Sequence, residues 1–199
     1  MLRIIAGSLG GRRIAAPRGR STRPTREAVR EAWFSALGPG VSGARVADLF
    51  AGSGALGIEA LSRGAAHVTF VERGRAALAT LRENLAELGL EERSEVAASE
   101  AGAFLERLDV PGPGAPGPFD LALADPPYDS DWPERLAALL RERRFAGLLC
   151  VEHRPGALED AGAVWRRAYG DTILTFLRPP AGPDEPGRTR EDPPTGRTA

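Results

Sequence analysis

The chain has no lysine, one cysteine and two histidines among its 199 residues. A single Cys150 excludes an intramolecular disulfide and any all-cysteine metal site. His67 and His153 alone give no zinc-ligand spacing, so no metal is expected. No apolar run reaches the roughly 20 residues of a membrane-spanning helix, and the N-terminus lacks the apolar stretch of a signal peptide. The expectation is a soluble, cytoplasmic, monomeric protein without a membrane partner.

Because every basic side chain is Arg, residue type says little about a partner, and clustering says more. Residues 1–40 hold eight arginines (3, 12, 13, 18, 20, 23, 26 and 30) against Glu27 and Glu31, although the net charge is only −1. The acidic excess therefore lies in the rest of the chain. A basic lobe on an acidic body fits a polyanion such as RNA, with Arg12, Arg13 and Arg23 as candidate contacts. The bland alternative is a solvated face, with Arg23 and Arg30 paired to Glu27 and Glu31.

The length fits one domain with appendages. Residues 2–6 and 12–16 read as a small hairpin, followed by an exposed basic loop at 17–23 and a helix at 25–37 capped by Thr25. Strands are expected at 45–50, 67–72, 94–98, 119–124 and 147–152. Helices are expected at 55–63, 75–88, 101–108 and 132–143. This alternation predicts an α/β fold with a parallel sheet covered on both faces. Residues 163–169 and 171–177 read as an antiparallel pair turning at Gly170. Three regions result: a basic hairpin-and-helix extension at 1–40, an α/β domain at 41–178, and a disordered tail at 179–199. That tail is proline, glycine and charge, with no core former after Leu177.

Val46-Ala-Asp-Leu-Phe50 is a short buried-strand pattern, and Gly52, Gly54 and Gly57 follow in G-x-G-x-x-G spacing before a helix. Such a turn lets backbone approach a ligand at a helix N-terminus. Glu72, 20 residues after Gly52 at the end of the next strand, can accept the hydroxyls of an adenosine ribose. Asp48 either touches that ligand or supports the glycine loop through backbone hydrogen bonds. On spacing alone the ligand could be NAD or FAD.

Asp125-Pro-Pro-Tyr128 follows the strand at 119–124, on the sheet edge where open α/β folds bind ligands. Two prolines stiffen the backbone and remove two donors, leaving acceptors and one aromatic face. Acceptors suit an exocyclic amine, and a ring suits a planar base. The structural alternatives are an Asp-Pro turn cap for Asp125 and a plain pocket wall for Tyr128. Cys150, Trp33 and Phe34 read as core, His153 as a strand end, and Trp132 as a border of the substrate mouth.

Asp125-Pro-Pro-Tyr128 resembles the signature of S-adenosylmethionine-dependent methyltransferases that modify planar amino groups. Arg23-Pro-Thr-Arg-Glu-Ala-Val-Arg-Glu31 and Phe50-Ala-Gly-Ser-Gly-Ala-Leu-Gly-Ile-Glu-Ala-Leu-Ser-Arg63 are similar to one branch, the bacterial 16S rRNA guanine-N2 methyltransferases of the RsmD type. Arg3-Ile-Ile-Ala-Gly7 and Val151-Glu152 also fit, and the resemblance spans residues 2 to about 178. It implies a Rossmann-like class I methyltransferase fold: a seven-stranded, mostly parallel sheet with an antiparallel C-terminal hairpin and a small N-terminal β-hairpin. It implies that Gly52 and Gly54 cradle the methionine end of S-adenosylmethionine, that Glu72 holds its ribose, and that Glu100 lies near its adenine amine. Asp125 and the Pro126 carbonyl would accept from the target amine while Tyr128 stacks on the base. The substrate would be 16S rRNA or a small ribosomal subunit particle. Two other readings stay open, an adenine-N6 DNA methyltransferase and a non-catalytic RNA-binding assembly factor.

Overall fold

Residues 1–16, 24–110, 117–159 and 161–180 are described by a computed structural model of the chain. The sequence-predicted loop at 17–23, with Arg23, and the tail from 181 lie outside the described residues.

A hairpin of β1 (Leu2–Arg3) and β2 (Arg13–Ile14) precedes α1 (Pro24–Leu37). The alternating unit is β3 (Arg45–Asp48), α2 (Ala55–Ser62), β4 (His67–Glu72), α3 (Arg75–Leu88), β5 (Ser94–Ala98), α4 (Ala101–Arg107), β6 (Phe119–Ala124), α5 (Trp132–Arg143) and β7 (Ala146–His153). β8 (Trp165–Tyr169) and β9 (Thr172–Leu177) complete it. Helix α1 begins at Pro24, where a fixed φ and a missing N–H are tolerated, so Thr25 lies within its first turn.

The seven strands run in the order β5-β4-β3-β6-β7-β9-β8. Strands β3 to β7 are parallel, and β9 runs antiparallel between β7 and β8. The direction of winding reverses between β3 and β6, which opens a crevice at their carboxyl ends. Alternation along the strands builds two apolar layers. Val46, Phe70, Leu121 and Leu123 share one layer with Ile58, Leu61, Leu81 and Leu85 of α2 and α3, and Cys150 and Phe176 belong to the same layer, Cys150 against Trp33 of α1. Ala47, Leu49, Val71, Ala122 and Val151 face Leu105, Leu136 and Leu140 of α4 and α5.

Ile4, Ile14, Val29, Trp33 and Phe34 belong to the first layer, so the hairpin and α1 share one core with the sheet. Polar contacts fix the hairpin's position. Buried Glu59 accepts the amides of Ile5 (2.8 Å) and Ala6 (3.1 Å) and the Arg63 Nε (2.8 Å). Arg30 lies 3.9 Å from Glu59 and donates to the Arg3 carbonyl, which replaces the local pairing with Glu27 or Glu31. Gly7 has φ +82°, and a Cβ there would lie 1.9 Å from the Ser62 carbonyl oxygen. Only glycine fits this approach to the end of α2.

Candidate active site

The carboxyl ends of β3, β4 and β6 bring the glycine loop, Glu72 and Asp125-Pro-Pro-Tyr128 to one edge. The three loop glycines meet different physical demands. Gly57 packs α2 onto the sheet, since a Cβ there would lie 2.2 Å from the Phe70 ring. Gly54 combines φ +88° with a Cβ position 2.5 Å from Leu81 Cδ1. Gly52 has φ +56° and nothing within 4 Å of its Cβ position, so its open side leaves room for a ligand. No side chain caps the N-terminus of α2 at Gly54.

Asp48 supports this loop from beneath, which is one of the two roles open to it in the sequence. Its Oδ2 accepts the Gly57 amide at 2.9 Å, and its buried Oδ1 has no hydrogen-bond partner among the described residues. Burial pushes its carboxyl up to about 7, with smaller contributions from the charges of Asp125 and Glu72. Glu72 Oε2 accepts the Gly52 amide (2.9 Å), while Oε1 accepts those of Arg73 (2.8 Å) and Gly74 (2.6 Å). The loop and the acid are thus pre-assembled. A carboxylate offers about four lone-pair directions, so one remains for a ligand hydroxyl. Glu100 caps α4, its Oε2 accepting from Ala103 N at 3.0 Å. The end of α4 approaches Trp132, which meets Phe50 edge-on at 5.2 Å and lies under Arg135 at 4.2 Å.

In the motif itself Asp125 is half-buried, Pro126 buried and Pro127 exposed. Tyr128 donates its hydroxyl to Glu152 Oε1 at 2.6 Å and lies 3.3 Å from Thr172 Oγ1. Burial and the Glu152 carboxylate raise its pKa, keeping the phenol protonated. Arg154 sits 5.2 Å over its ring. His153 ends β7 and bridges Thr175 Oγ1 and the Arg154 carbonyl, both at 2.7 Å. Desolvation lowers its pKa, so it is a neutral structural imidazole.

Arg12 and Arg13 are exposed on the hairpin, and the Arg12 guanidinium donates to the Glu87 carbonyl at 3.0 Å. Sequence reasoning missed Asn84. From α3 it accepts the Ala15 amide (2.8 Å) and donates to the carbonyls of Ala15 (3.1 Å) and Ser53 (2.9 Å). It thereby ties the N-terminal segment to the glycine loop. Its signal was a polar residue on the apolar face formed by Leu78, Leu81, Leu85 and Leu88. The roles of Glu152 and Thr172 also went unread, because the contact joins strands far apart in sequence.

Residues 2–178 match the family described as conserved hypothetical protein 95. The chain is 40% identical over 177 residues to YlbH of Bacillus subtilis, covering 87% of this chain and 91% of that one. It is 38% identical over 141 residues to ribosomal RNA small subunit methyltransferase D of Escherichia coli, covering 71% and 67%. The solved structure of Escherichia coli yhhF superposes with a TM-score of 0.75 at 33% identity, covering 90% of this chain and 98% of that one.

Proposed function

The chain belongs to the family described as conserved hypothetical protein 95, and from that premise we propose that it is an S-adenosylmethionine-dependent methyltransferase acting on the exocyclic N2 of a guanine in 16S rRNA. The observation that carries the amine chemistry is the placement of Asp125-Pro-Pro-Tyr128 at the carboxyl end of β6, beside the glycine loop and at the reversal of strand order. Methyltransferase D, named for small-subunit rRNA, supports RNA over DNA. A ribosomal substrate supports a cytoplasmic protein, and a site built from one chain's strands is compatible with a monomer.

The loop at Gly52 and Gly54 would hold the methionine end of the cofactor, Glu72 the ribose and Glu100 the adenine side, with Asp48 keeping the loop in place. When bound, the cofactor supplies an activated methyl on a sulfonium, so neither a covalent nucleophile nor a metal is required. Asp125 and the Pro126 carbonyl would accept hydrogen bonds from the two N–H groups of the guanine amine, and as the methyl–sulfur bond gives way to the new N–C bond one of those protons would leave to the Asp125 carboxylate or to water. The hydrogen bonds draw the nitrogen lone pair out of conjugation and aim it across the crevice. Tyr128, held by Glu152, presents its ring to the base. Catalysis is mainly positioning, which reaches roughly 7–11 kcal/mol in favourable cases. The target base must be unpaired or flipped to enter.

The test is transfer of labelled methyl to small-subunit particles from a strain lacking this protein, followed by nucleoside identification. N2-methylguanosine is expected. Asp125→Ala should lose most transfer while retaining cofactor affinity by calorimetry. Label in N6-methyladenine of DNA would overturn the substrate, and RNA binding without any transfer would make the protein an assembly factor.

A further inference from the structure

The chain has two tyrosines, and both stand at the same end of the sheet with an arginine over the ring. Arg154 lies 5.2 Å from the Tyr128 centroid and Arg167 lies 5.4 Å from that of Tyr169. The register shows that the two stacks are neighbours. β9 pairs Thr172 with Tyr169 and Leu174 with Arg167, and β7 pairs Glu152 with Leu174. Arg167, Tyr169, Thr172 and Glu152 therefore share one face of the sheet, and the Tyr128 hydroxyl reaches both Thr172 and Glu152 on it. Because β9 is antiparallel to β7, the turn between Tyr169 and Thr172 stands at the carboxyl end of β7, beside the Asp125 motif.

We propose that Tyr169, with Arg167 stacked on it and Arg154 stacked on Tyr128, forms a binding surface for the single-stranded RNA that flanks the target nucleotide. The proposal rests on the rRNA methyltransferase reading and adds to it a second grip, near the β8 edge of the sheet. A guanidinium lying on a ring keeps its N–H edge available for phosphate, while aromatic faces accept any base. Arg154 and Arg167 are exposed, and among the described residues neither forms an ion pair with a carboxylate. Arg63, stacked on Phe34, is by contrast neutralised by Glu59. Asp171 at the tip of the turn is exposed, while Glu152 is buried beneath Tyr128 with its carboxylate on the tyrosine hydroxyl. Unpaired cations interleaved with rings, continuous with a site that takes a base, fit a nucleic-acid strand.

The experiment compares wild type with the double variant Arg154→Ala, Arg167→Ala. Binding of a fluorescein-labelled single-stranded RNA oligonucleotide of mixed sequence is measured across a salt series. Methyl transfer to particles lacking the modification is measured alongside. Because the double variant removes two phosphate-binding cations, the slope of log affinity against log salt should flatten by about 1.4. KM for the particle should rise about tenfold while S-adenosylmethionine affinity stays within about twofold. Tyr169→Ala should raise KM and Tyr169→Phe should restore it, because the ring is what stacks. An unchanged slope and KM in the double variant would overturn the proposal. Loss of particle binding with full affinity for the oligonucleotide would assign the surface to a ribosomal protein and also overturn it. Wild type that methylates no rRNA would sink the enzymatic reading, whereas the oligonucleotide slope judges this surface by itself.

Discussion

Asp48 has 1% of its surface exposed, one oxygen on the Gly57 amide and the other unpartnered. Its carboxyl is raised from 3.8 to about 7, first by burial. The folded protein therefore holds this proton more tightly than the unfolded chain does. The associated stability is complete below about pH 4 and is lost as pH rises through about 7. Asp48→Asn keeps an oxygen for Gly57 and cannot ionise. Relative to wild type it should gain about 2–3 kcal/mol between about pH 5 and about pH 8 in denaturant titrations. An equal difference at both values would show an ordinarily ionised Asp48. At this scale the sequence displayed the glycine spacing and the acid 20 residues on, but not the division of labour. Nothing local to Gly57 says that Phe70 fills the space where a Cβ would stand, and nothing local to Tyr128 points to Glu152.

The elements were legible because each long helix and each buried strand carries its own period: Leu78, Leu81, Leu85 and Leu88 on α3, or Val68 to Val71 on β4. The antiparallel pair at Gly170 was legible for the same reason. Its insertion order, with β9 rather than β8 against β7, was not, since pairing partners lie outside any local window. Docking of the N-terminal hairpin was hidden likewise. Glu59 looked like one polar residue on a short helix, yet it gathers two hairpin amides and two arginines. Removing a buried carboxylate that cations and amides depend on costs about 3–5 kcal/mol. Glu59→Ala should therefore lower the unfolding free energy by about that amount. Hydrogen exchange should show the Ile5 and Ala6 amides opening well beyond the change at Val68 and Phe70. Uniform loss of protection across hairpin and sheet would mean that Glu59 serves the global fold and not specifically the docking.

The whole molecule carries two exposed arginine pairs, one on the N-terminal hairpin and one over the two tyrosines near β8. The hairpin is clamped to α2 by Glu59 and to α3 by Asn84, which also holds Ser53 of the glycine loop. Arg12 and Arg13 thus project from a part of the protein held against the proposed cofactor loop. The Arg12 bond to the Glu87 carbonyl orients its guanidinium without cancelling the charge. If both residues meet phosphates of single-stranded RNA, Arg12→Ala with Arg13→Ala should flatten the salt slope by about 1.4, and by about 0.7 if Arg13 alone does. The melting temperature should stay unchanged, because both side chains are exposed. An unaltered slope would return them to a solvated face. The hairpin lies against α2 and α3, whereas Arg154 and Arg167 lie near the β8 edge, so the two pairs share no partner. Their effects on the slope should add in the quadruple variant, as distant sites do. A strand that runs from the hairpin to the β8 edge requires that additivity. A strand gripped by one pair only would lose all of its slope to that pair and none to the other.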